Sequence, residues 1–214
     1  KRESRPTTKE VLTMRMIDRP MRPLFPDGFV DEVLIQAMCL ATDQEHDPDV
    51  LASIASSTAL TISGLPFEGP VGTVRVAQVN GEYVLFPTLS EVSQSPFELV
   101  LCGHKEGVNM IEVGASEVAE SVITGAVEFG YRAIRDICAM QIELREKKGK
   151  PVTWTAPEGG KELLAKVRER ALRPMRDAKR IQGKQDRNAA MEKINEAVLG
   201  ELSPEGVENP PYER

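Results

Sequence analysis

The sequence predicts an α/β (α+β) domain over residues 1–150, followed by a small all-helical domain over residues 151–214. Two apolar runs flank Asn80-Gly81, a dipeptide that favours a two-residue β-hairpin. Apolar residues recur at close to every 3.6 positions between residues 118 and 142, which is typical of a long helix packed along one side. Beyond Pro151 the β-branched runs become few, and Ala, Leu, Lys, Arg and Glu dominate. These observations together predict a sheet-containing domain with a helical appendage.

The first predicted helix begins after Thr7 or Thr8, because either hydroxyl can accept a hydrogen bond from the first helical turn. Glu10 lies in that turn, where the positive end of the helix dipole favours an acid. The helix runs through Ile17 and is expected to be ended by Pro20 and Pro23, because proline lacks the backbone donor that would extend the ladder and disfavours helix at the residue before it.

A buried strand is predicted from Val33 to Leu40, because the run is apolar on both of its faces. A second helix begins at Asp47-Pro48-Asp49, since proline and acids suit a first turn, and ends near Gly64. The remaining predicted elements are strands 71–79, 82–86, 97–103 and 108–113, a long helix from Ala115 or Ser116 to Lys147, and helices 158–172 and 184–202.

The composition is that of a soluble globular protein, with 41% hydrophobic and 28% charged residues among 214. No apolar run approaches the roughly 18 residues that a membrane span needs, so we expect no membrane contact. We expect a cytoplasmic protein, because its few unpaired cysteines suit a reducing compartment. Cys39, Cys102 and Cys138 stand apart in apolar runs without a Cys-x-x-Cys pair. We therefore expect the three cysteines to be buried as small hydrophobic residues, and we expect no zinc site.

Charge is distributed unevenly along the chain, although the net charge is only −6. Residues 1–24 carry seven basic and three acidic residues, whereas residues 31–128 carry fifteen acids and two bases. A basic amino-terminal segment followed by an acidic segment suggests a localised contact with a polyanion, although most charge clusters are simply solvated surfaces.

Most catalytic motifs are missing from the sequence. No phosphate-binding Gly-x-x-x-x-Gly-Lys-[Ser/Thr] loop is present, and His46 and His104 lie in separate loops without a neighbouring nucleophile. Asp47 and Asp49 form either a paired-carboxylate site or, as is more common, the charged N-terminus of a helix. Ser56-Ser57 on an apolar helix suggests core packing.

The arginines near the amino end are the best candidate site. Arg15 and Arg19 are four residues apart and share a helix face, and Arg22 would extend this row if the helix direction survives Pro20. Arginine suits phosphate because its planar fork offers two parallel donors and stays charged. The alternative is ion pairing with Asp18, with Asp27 or with the acidic body of the domain.

These residues lie in a long and specific pattern. The run Arg-x-Ile-Asp-Arg-Pro-x-Arg-Pro-Leu-Phe-Pro-x-Gly-Phe, from Arg15 to Phe29, resembles the first ribonuclease-PH-like domain of the polynucleotide phosphorylase family. The Asp47-Pro-Asp49 run, the segment Gly64 to Gly72 and the segment 113–127 resemble the same domain. Residues 149–202 resemble the helical linker domain that follows it.

The resemblance implies a fold and an activity. The fold is a mixed β-sheet with helices packed on one face, and the family's opening strands would precede Lys1. The family degrades mRNA in the 3′-to-5′ direction, with inorganic phosphate as attacking co-substrate and Mg²⁺ as cofactor. It forms a homotrimeric ring through which single-stranded RNA threads, and other RNA-degradation proteins can be its partners.

The resemblance also assigns roles to residues. The family's catalytic and Mg²⁺-binding residues belong to its second core domain, so none is expected in this chain. Lys1, Arg2 and Arg5 match a basic loop that contacts RNA, and Arg15, Arg19 and Arg22 complete the expected RNA-binding set. Lys1 and Ser4 depart from the usual Arg and Gly of that loop.

Two other functions remain open at this point. A stand-alone nucleotidyltransferase would use the arginines at a phosphate site of its own, but the sequence offers no acidic pair in matching register. A purely structural module would use them only in salt bridges. Because the opening strands would be absent, we also expect the isolated chain to self-associate or to need a partner.

Overall fold

The computed structural model describes residues 5–156 and 160–203. The chain divides into two compact units, residues 1–156 and residues 157–214. The first unit contains α1 (Thr8–Met21), α2 (Asp49–Ile62), β1 (Gly72–Val79), β2 (Glu82–Leu85), α3 (Leu89–Gln94), β3 (Phe97–His104), β4 (Gly107–Ala115) and α4 (Glu120–Lys148). The second contains α5 (Lys161–Ala178) and α6 (Lys184–Leu202). The predicted α/β fold class is confirmed.

The four strands form one sheet in the order β2-β1-β3-β4, and every neighbouring pair is antiparallel. No parallel pairing, which a mixed sheet would need, occurs among the described strands. The predicted hairpin at Asn80-Gly81 is confirmed: both residues have positive φ, as a type I′ turn requires. It joins β1 to β2, with Val79 opposite Glu82.

Helices cover both faces of the sheet, which corrects the expectation of helices on one face. Leu99 and Leu101 of β3 pack with Ile134 and its neighbours on α4. Val100 and Cys102, which alternate with them, pack with Met21 and other residues of α1 and α2. Successive side chains of a strand point to opposite faces, so β3 is buried by a helical layer on each side.

The predicted strand from Val33 to Leu40 is wrong. These residues belong to no helix or strand and are mostly exposed, and residues 33–41 make no backbone–backbone hydrogen bond to any described residue. A strand exists only through pairing with a neighbour, and no described strand lies beside this segment. Leu34 is 83% exposed and Leu40 is 91% exposed. The expectation that Cys39 is buried is also wrong, because it lies in the same exposed segment.

Two of the described helices contain a proline. α1 ends at Met21, between the two prolines that were expected to end it, and α5 continues to Ala178, beyond its predicted end at Leu172. In α1, Pro20 is buried, its carbonyl accepts a hydrogen bond from Asn109, and the Arg22 amide still bonds to the Asp18 carbonyl. Loss of one donor in the last turn therefore leaves the rest of the ladder intact. In α5, buried alanines on both sides of Pro174 keep the helix going to Ala178.

The long helix α4 begins later than predicted, at Glu120. Ala115 belongs to β4, where it pairs with Phe97, so it is not free to start a helix. The short helix α3 was not predicted. It begins with a capping box in which the Thr88 hydroxyl and the Glu91 carboxylate satisfy each other's backbone amides.

Candidate nucleic-acid interface

The amino-terminal helix α1 presents a buried face and a charged face. Thr7, one of the two predicted caps, caps it, and the Glu10 side chain completes a capping box that was not predicted. Met16, Ile17 and Met21 are buried in the cluster that α1 shares with α2 and the sheet. With these residues fixed inward, the positions on the opposite side of the helix must face outward.

Arg15 and Arg19 occupy that outward side. Both side chains are exposed, they lie one helical turn apart, and neither has a carboxylate within 4 Å among the described residues. Arg5 is also exposed, in the extended segment that precedes Thr7. Lys1 and Arg2 lie outside the described residues. The arrangement leaves at least two adjacent guanidinium groups available for an anion.

Arg22 differs from its neighbours because it forms an ion pair. Its Nε lies 3.1 Å from Asp18 Oδ1 and its Nη2 lies 2.6 Å from Asp18 Oδ2. The structure therefore places Arg22 in the ion-paired alternative that the sequence left open. The side chains of both residues are exposed, and a surface ion pair four residues apart contributes only about 0.3–0.5 kcal/mol to stability. A phosphate can thus displace Asp18 at small cost.

A cleft of about 500 Å³ opens beside Arg22. The rings of Phe25 and Phe29 line it and stack at 5.4 Å between centroids. Its other lining residues include three carboxylates, Asp18, Asp27 and Asp31. Because these acids repel phosphate, the outward face of α1 is a better site for a polyanion than the cleft is.

Asp47 and Asp49 do not form a paired-carboxylate site. Asp47 Oδ2 lies 2.8 Å from Lys9 Nζ, and this pair connects the start of α1 to the start of α2. Asp49 Oδ2 lies 2.5 Å from Arg75 Nη2, in a largely buried ion pair. Burial raises the pKa of Asp49, although Arg75 opposes that rise. Each of the two carboxylates is therefore ion-paired with a different cationic side chain.

Arg75 is the charged residue that sequence reasoning missed. It lies on β1, is 8% exposed, and also donates to Glu98 on β3. Its Nε has no hydrogen-bond partner among the described residues. The available signal was that Arg75 is one of only two bases between residues 31 and 128, and that it lies inside an apolar strand.

The carboxylates around Arg75 and Lys9 are already engaged by cations. Magnesium prefers carboxylate oxygens together with retained waters, but Asp49 and Glu98 both bind Arg75, and Asp47 binds Lys9. The exposed loop residues Asp43, Glu45 and His46 bring three ligand atoms within 4.8 Å. His46 Nδ1 is already 2.6 Å from Asp43 Oδ2, so we assign no metal to this loop.

The other polar groups singled out in the sequence have structural roles. Ser53 and Ser57 of α2 hydrogen-bond to Thr73 and to the Val71 amide, which joins α2 to β1. Ser56 bonds to a carbonyl of its own helix, so core packing accounts for the Ser56-Ser57 pair. Burial raises the pKa of the Cys102 thiol to about 11, which leaves that sulfur unreactive at neutral pH.

Comparison with known proteins agrees with this architecture. The model for the 3′ exoribonuclease family, domain 1, matches residues 1–66, and the model for domain 2 of the same family matches residues 69–133. Together these matches span more than half of the chain. The chain belongs to the 3′ exoribonuclease family, in its ribonuclease-PH-like branch.

Curated relatives narrow the likeness to one kind of enzyme. The chain is 44% identical to a polyribonucleotide nucleotidyltransferase of Rhodopseudomonas palustris (strain TIE-1), over 100% of this chain and 30% of that protein. It is 45% identical to the polyribonucleotide nucleotidyltransferase of Bradyrhizobium diazoefficiens, with the same shares covered. The one of Xanthobacter autotrophicus is 47% identical over 89% of this chain and 26% of that protein. The chain therefore spans about a third of the length of these relatives.

A solved structure was also matched, the crystal structure of rice Rrp46. It is 18% identical with a TM-score of 0.43, over 48% of this chain and 49% of that one. No described helix is both long enough and apolar enough to cross a membrane.

Proposed function

We propose that this chain is the RNA-guiding, non-catalytic first core segment of a phosphate-dependent 3′-to-5′ exoribonuclease that acts in mRNA degradation. One observation carries the proposal: Arg15 and Arg19 lie one turn apart on the exposed side of α1, and neither has a described ion-pair partner. Charge-assisted hydrogen bonds from guanidinium forks are the usual means of holding phosphodiester oxygens. Arg5 precedes the same helix and extends the contact.

The ion pairing of the carboxylates at the start of α2 supports a role without chemistry. Phosphorolysis needs groups that bind the attacking phosphate and balance its charge at the scissile bond. In the described part of the first unit, the largely buried acids Asp47 and Asp49 are each bound to a cation, and the partly exposed Glu98 is bound to Arg75 as well. Inorganic phosphate, as co-substrate, and Mg²⁺ would then be bound by residues outside this chain.

The proposed enzyme works as a cytoplasmic homotrimer that receives single-stranded RNA and can associate with other RNA-degradation proteins. The relationship to polyribonucleotide nucleotidyltransferases supports this assembly. Sedimentation of the whole protein that contains this chain tests it, because a monomer or dimer at micromolar concentration would contradict a trimer.

An RNA-binding experiment tests the guiding role. In the whole protein, Arg15→Gln/Arg19→Gln is expected to weaken binding of a labelled oligoadenylate, measured without phosphate to prevent degradation. The slope of the logarithm of the binding constant against the logarithm of the salt concentration should also become shallower by about 1.4, because each single-strand phosphate contact contributes about 0.7 to that slope. The control Arg132→Gln/Arg135→Gln removes two exposed charges from α4 and should leave both quantities unchanged. Unchanged binding in the first variant would favour the purely structural module.

A turnover experiment tests the non-catalytic role. The 214-residue chain is incubated with RNA, inorganic phosphate and Mg²⁺, and nucleoside diphosphates are measured by chromatography. We expect no release. Release that is lost in Arg15→Gln/Arg19→Gln would instead establish the alternative, a nucleotidyltransferase with its own phosphate site.

A further inference from the structure

The second unit carries a basic segment that the proposed function leaves unused. α5 has six basic and three acidic residues, and residues 179–187, from the end of α5 into the start of α6, add four basic residues and one acidic residue. α5 packs against α6, and its buried residues Ala171 and Ala178 mark the inward side of the helix. The opposite side of α5 therefore faces outward.

The cations of α5 fall into two groups. Lys166 lies 2.9 Å from Glu162, and Arg170 lies 2.5 Å from Glu201 on α6, so these two are structural. The other cations of α5, and two that directly follow it, are exposed and have no carboxylate within 4 Å among the described residues: they are Lys161, Arg168, Arg173 and Arg176 of α5, and Lys179 and Arg180 beyond it. A structural role in ion pairing therefore does not account for the second group.

The helix dipole accounts for only part of this second group. Cations are favoured in the last turn of a helix, and Arg176, Lys179 and Arg180 lie in or just beyond it. Arg168 and Arg173 lie further back, where the dipole's effect has faded. Arg168, Leu172 and Arg176 form a row with a rise of about 12 Å, and Arg173 flanks it one turn before Arg176.

We infer that the outward face of α5 is a second RNA-binding surface, which contacts the phosphate backbone through Arg168, Arg173 and Arg176. The inference rests on the proposed function, which supplies a polynucleotide as the anion. The three side chains are arginines, whose forks match phosphate, and they lie on an open helical surface that a flexible strand can follow. Backbone contacts of this kind carry no sequence preference.

An anionic membrane fits this surface less well. A helix that lies on a membrane inserts a continuous apolar face into the lipid. The apolar side of α5 is used against its own unit, and on the helix itself only Leu164 and Leu172 are large apolar residues with more than half of their surface exposed. The exposed side thus carries arginines in excess over the acids Glu169 and Asp177, with isolated leucines.

The test uses the whole protein and the variant Arg168→Gln/Arg173→Gln/Arg176→Gln. Glutamine has nearly the helix propensity of arginine, so circular dichroism and the melting temperature should stay unchanged. Binding of a labelled oligoadenylate without phosphate should weaken, and its logarithmic salt slope should fall by about two. Arg168→Lys/Arg173→Lys/Arg176→Lys should retain most of the slope, because the charge remains.

A matched control removes the same charge elsewhere. Arg132→Gln/Arg135→Gln/Lys148→Gln acts on exposed residues of α4, which lie among acids such as Asp136 and Glu146. It should leave the salt slope unchanged. An equal fall in slope would mean that total charge, and not the α5 face, governs binding, and would overturn the inference.

The remaining outcomes separate this inference from the proposed function. If Arg15→Gln/Arg19→Gln weakens RNA binding and the α5 variant does not, only the second surface is refuted. If neither variant weakens binding, both proposals fail. If the α5 variant binds RNA normally but loses binding to vesicles of phosphatidylcholine and phosphatidylglycerol, the surface serves a membrane and the inference is wrong.

Discussion

Asp49 and Arg75 join the second helix to the centre of the sheet through an ion pair of 2.5 Å, although 26 positions separate them in sequence. Arg75 also binds Glu98 on the adjacent strand β3. Lys9, at the start of α1, binds Asp47 two residues from Asp49. Neighbouring ion pairs therefore connect α1, α2 and the sheet.

Loss of Arg75 should destabilise the first unit strongly. In Arg75→Met the Asp49 carboxylate stays buried without a partner, and breaking a buried pair in this way costs about 3–5 kcal/mol. Urea denaturation followed by tryptophan fluorescence measures the change, because Trp154 contacts Phe29 in the same unit. Arg132→Met at an exposed site should change stability by less than about 0.5 kcal/mol. A similarly small effect at Arg75 would show that the pair contributes little.

The Asp43–His46 pair should make part of the stability depend on pH. The hydrogen bond to Asp43 raises the pKa of His46, and hydrogen bonds from His46 hold the pKa of Asp43 below its ordinary value. The stabilisation that the raised pKa of His46 gives to the folded state is fully present below pH 6.5. It is lost as pH rises through the raised pKa. The stabilisation that the lowered pKa of Asp43 gives to the folded state is fully present above pH 3.8. It is lost as pH falls through the lowered pKa.

Proton NMR of the histidine ring checks this prediction. The His46 midpoint should lie above 6.5 in the unmodified chain and return towards that value in Asp43→Asn. A midpoint that does not move in Asp43→Asn would show that the hydrogen bond does not control the titration.

Gly72 should not tolerate a side chain. A Cβ at this position would lie 2.8 Å from the Ile134 carbonyl oxygen of α4, so helix and sheet would have to separate. We expect Gly72→Ala to cost about 1–3 kcal/mol by overpacking. Gly114→Ala on β4 meets nothing within 4 Å and should be neutral or stabilising by less than about 1 kcal/mol. Thermal denaturation of the two variants compares them directly, and equal midpoints would contradict the close packing.

The exposed segment 33–41 should cause self-association. Leu34 and Met38 are 83% and 77% exposed in a segment with unpaired backbone groups, which is a template for intermolecular strand pairing. Sedimentation velocity of the 214-residue chain should show association that Leu34→Lys/Met38→Lys reduces. The melting temperature should not fall in the variant, because these side chains are largely solvent-exposed. A monodisperse, cooperatively melting unmodified chain would contradict the prediction.

Local chemistry in the sequence determined much of this protein. The capping box at Thr7, the hairpin at Asn80-Gly81 and the extent of α2 follow from neighbouring residues, so they could be predicted without a fold. The helical spacing of Arg15 and Arg19 likewise places them on one face before any tertiary contact is known. The family pattern that begins at Arg15 is also a property of the sequence alone.

Tertiary structure decided which charges and strands are satisfied. Asp49 finds its partner Arg75 in the distant strand β1, and Glu98 of β3 binds the same arginine. The segment 33–41 has the composition of a buried strand but has no described neighbour with which to pair. The physical reason is the same in each case: ion pairs and strand pairing depend on groups far apart in sequence, and their positions exist only once the chain has folded.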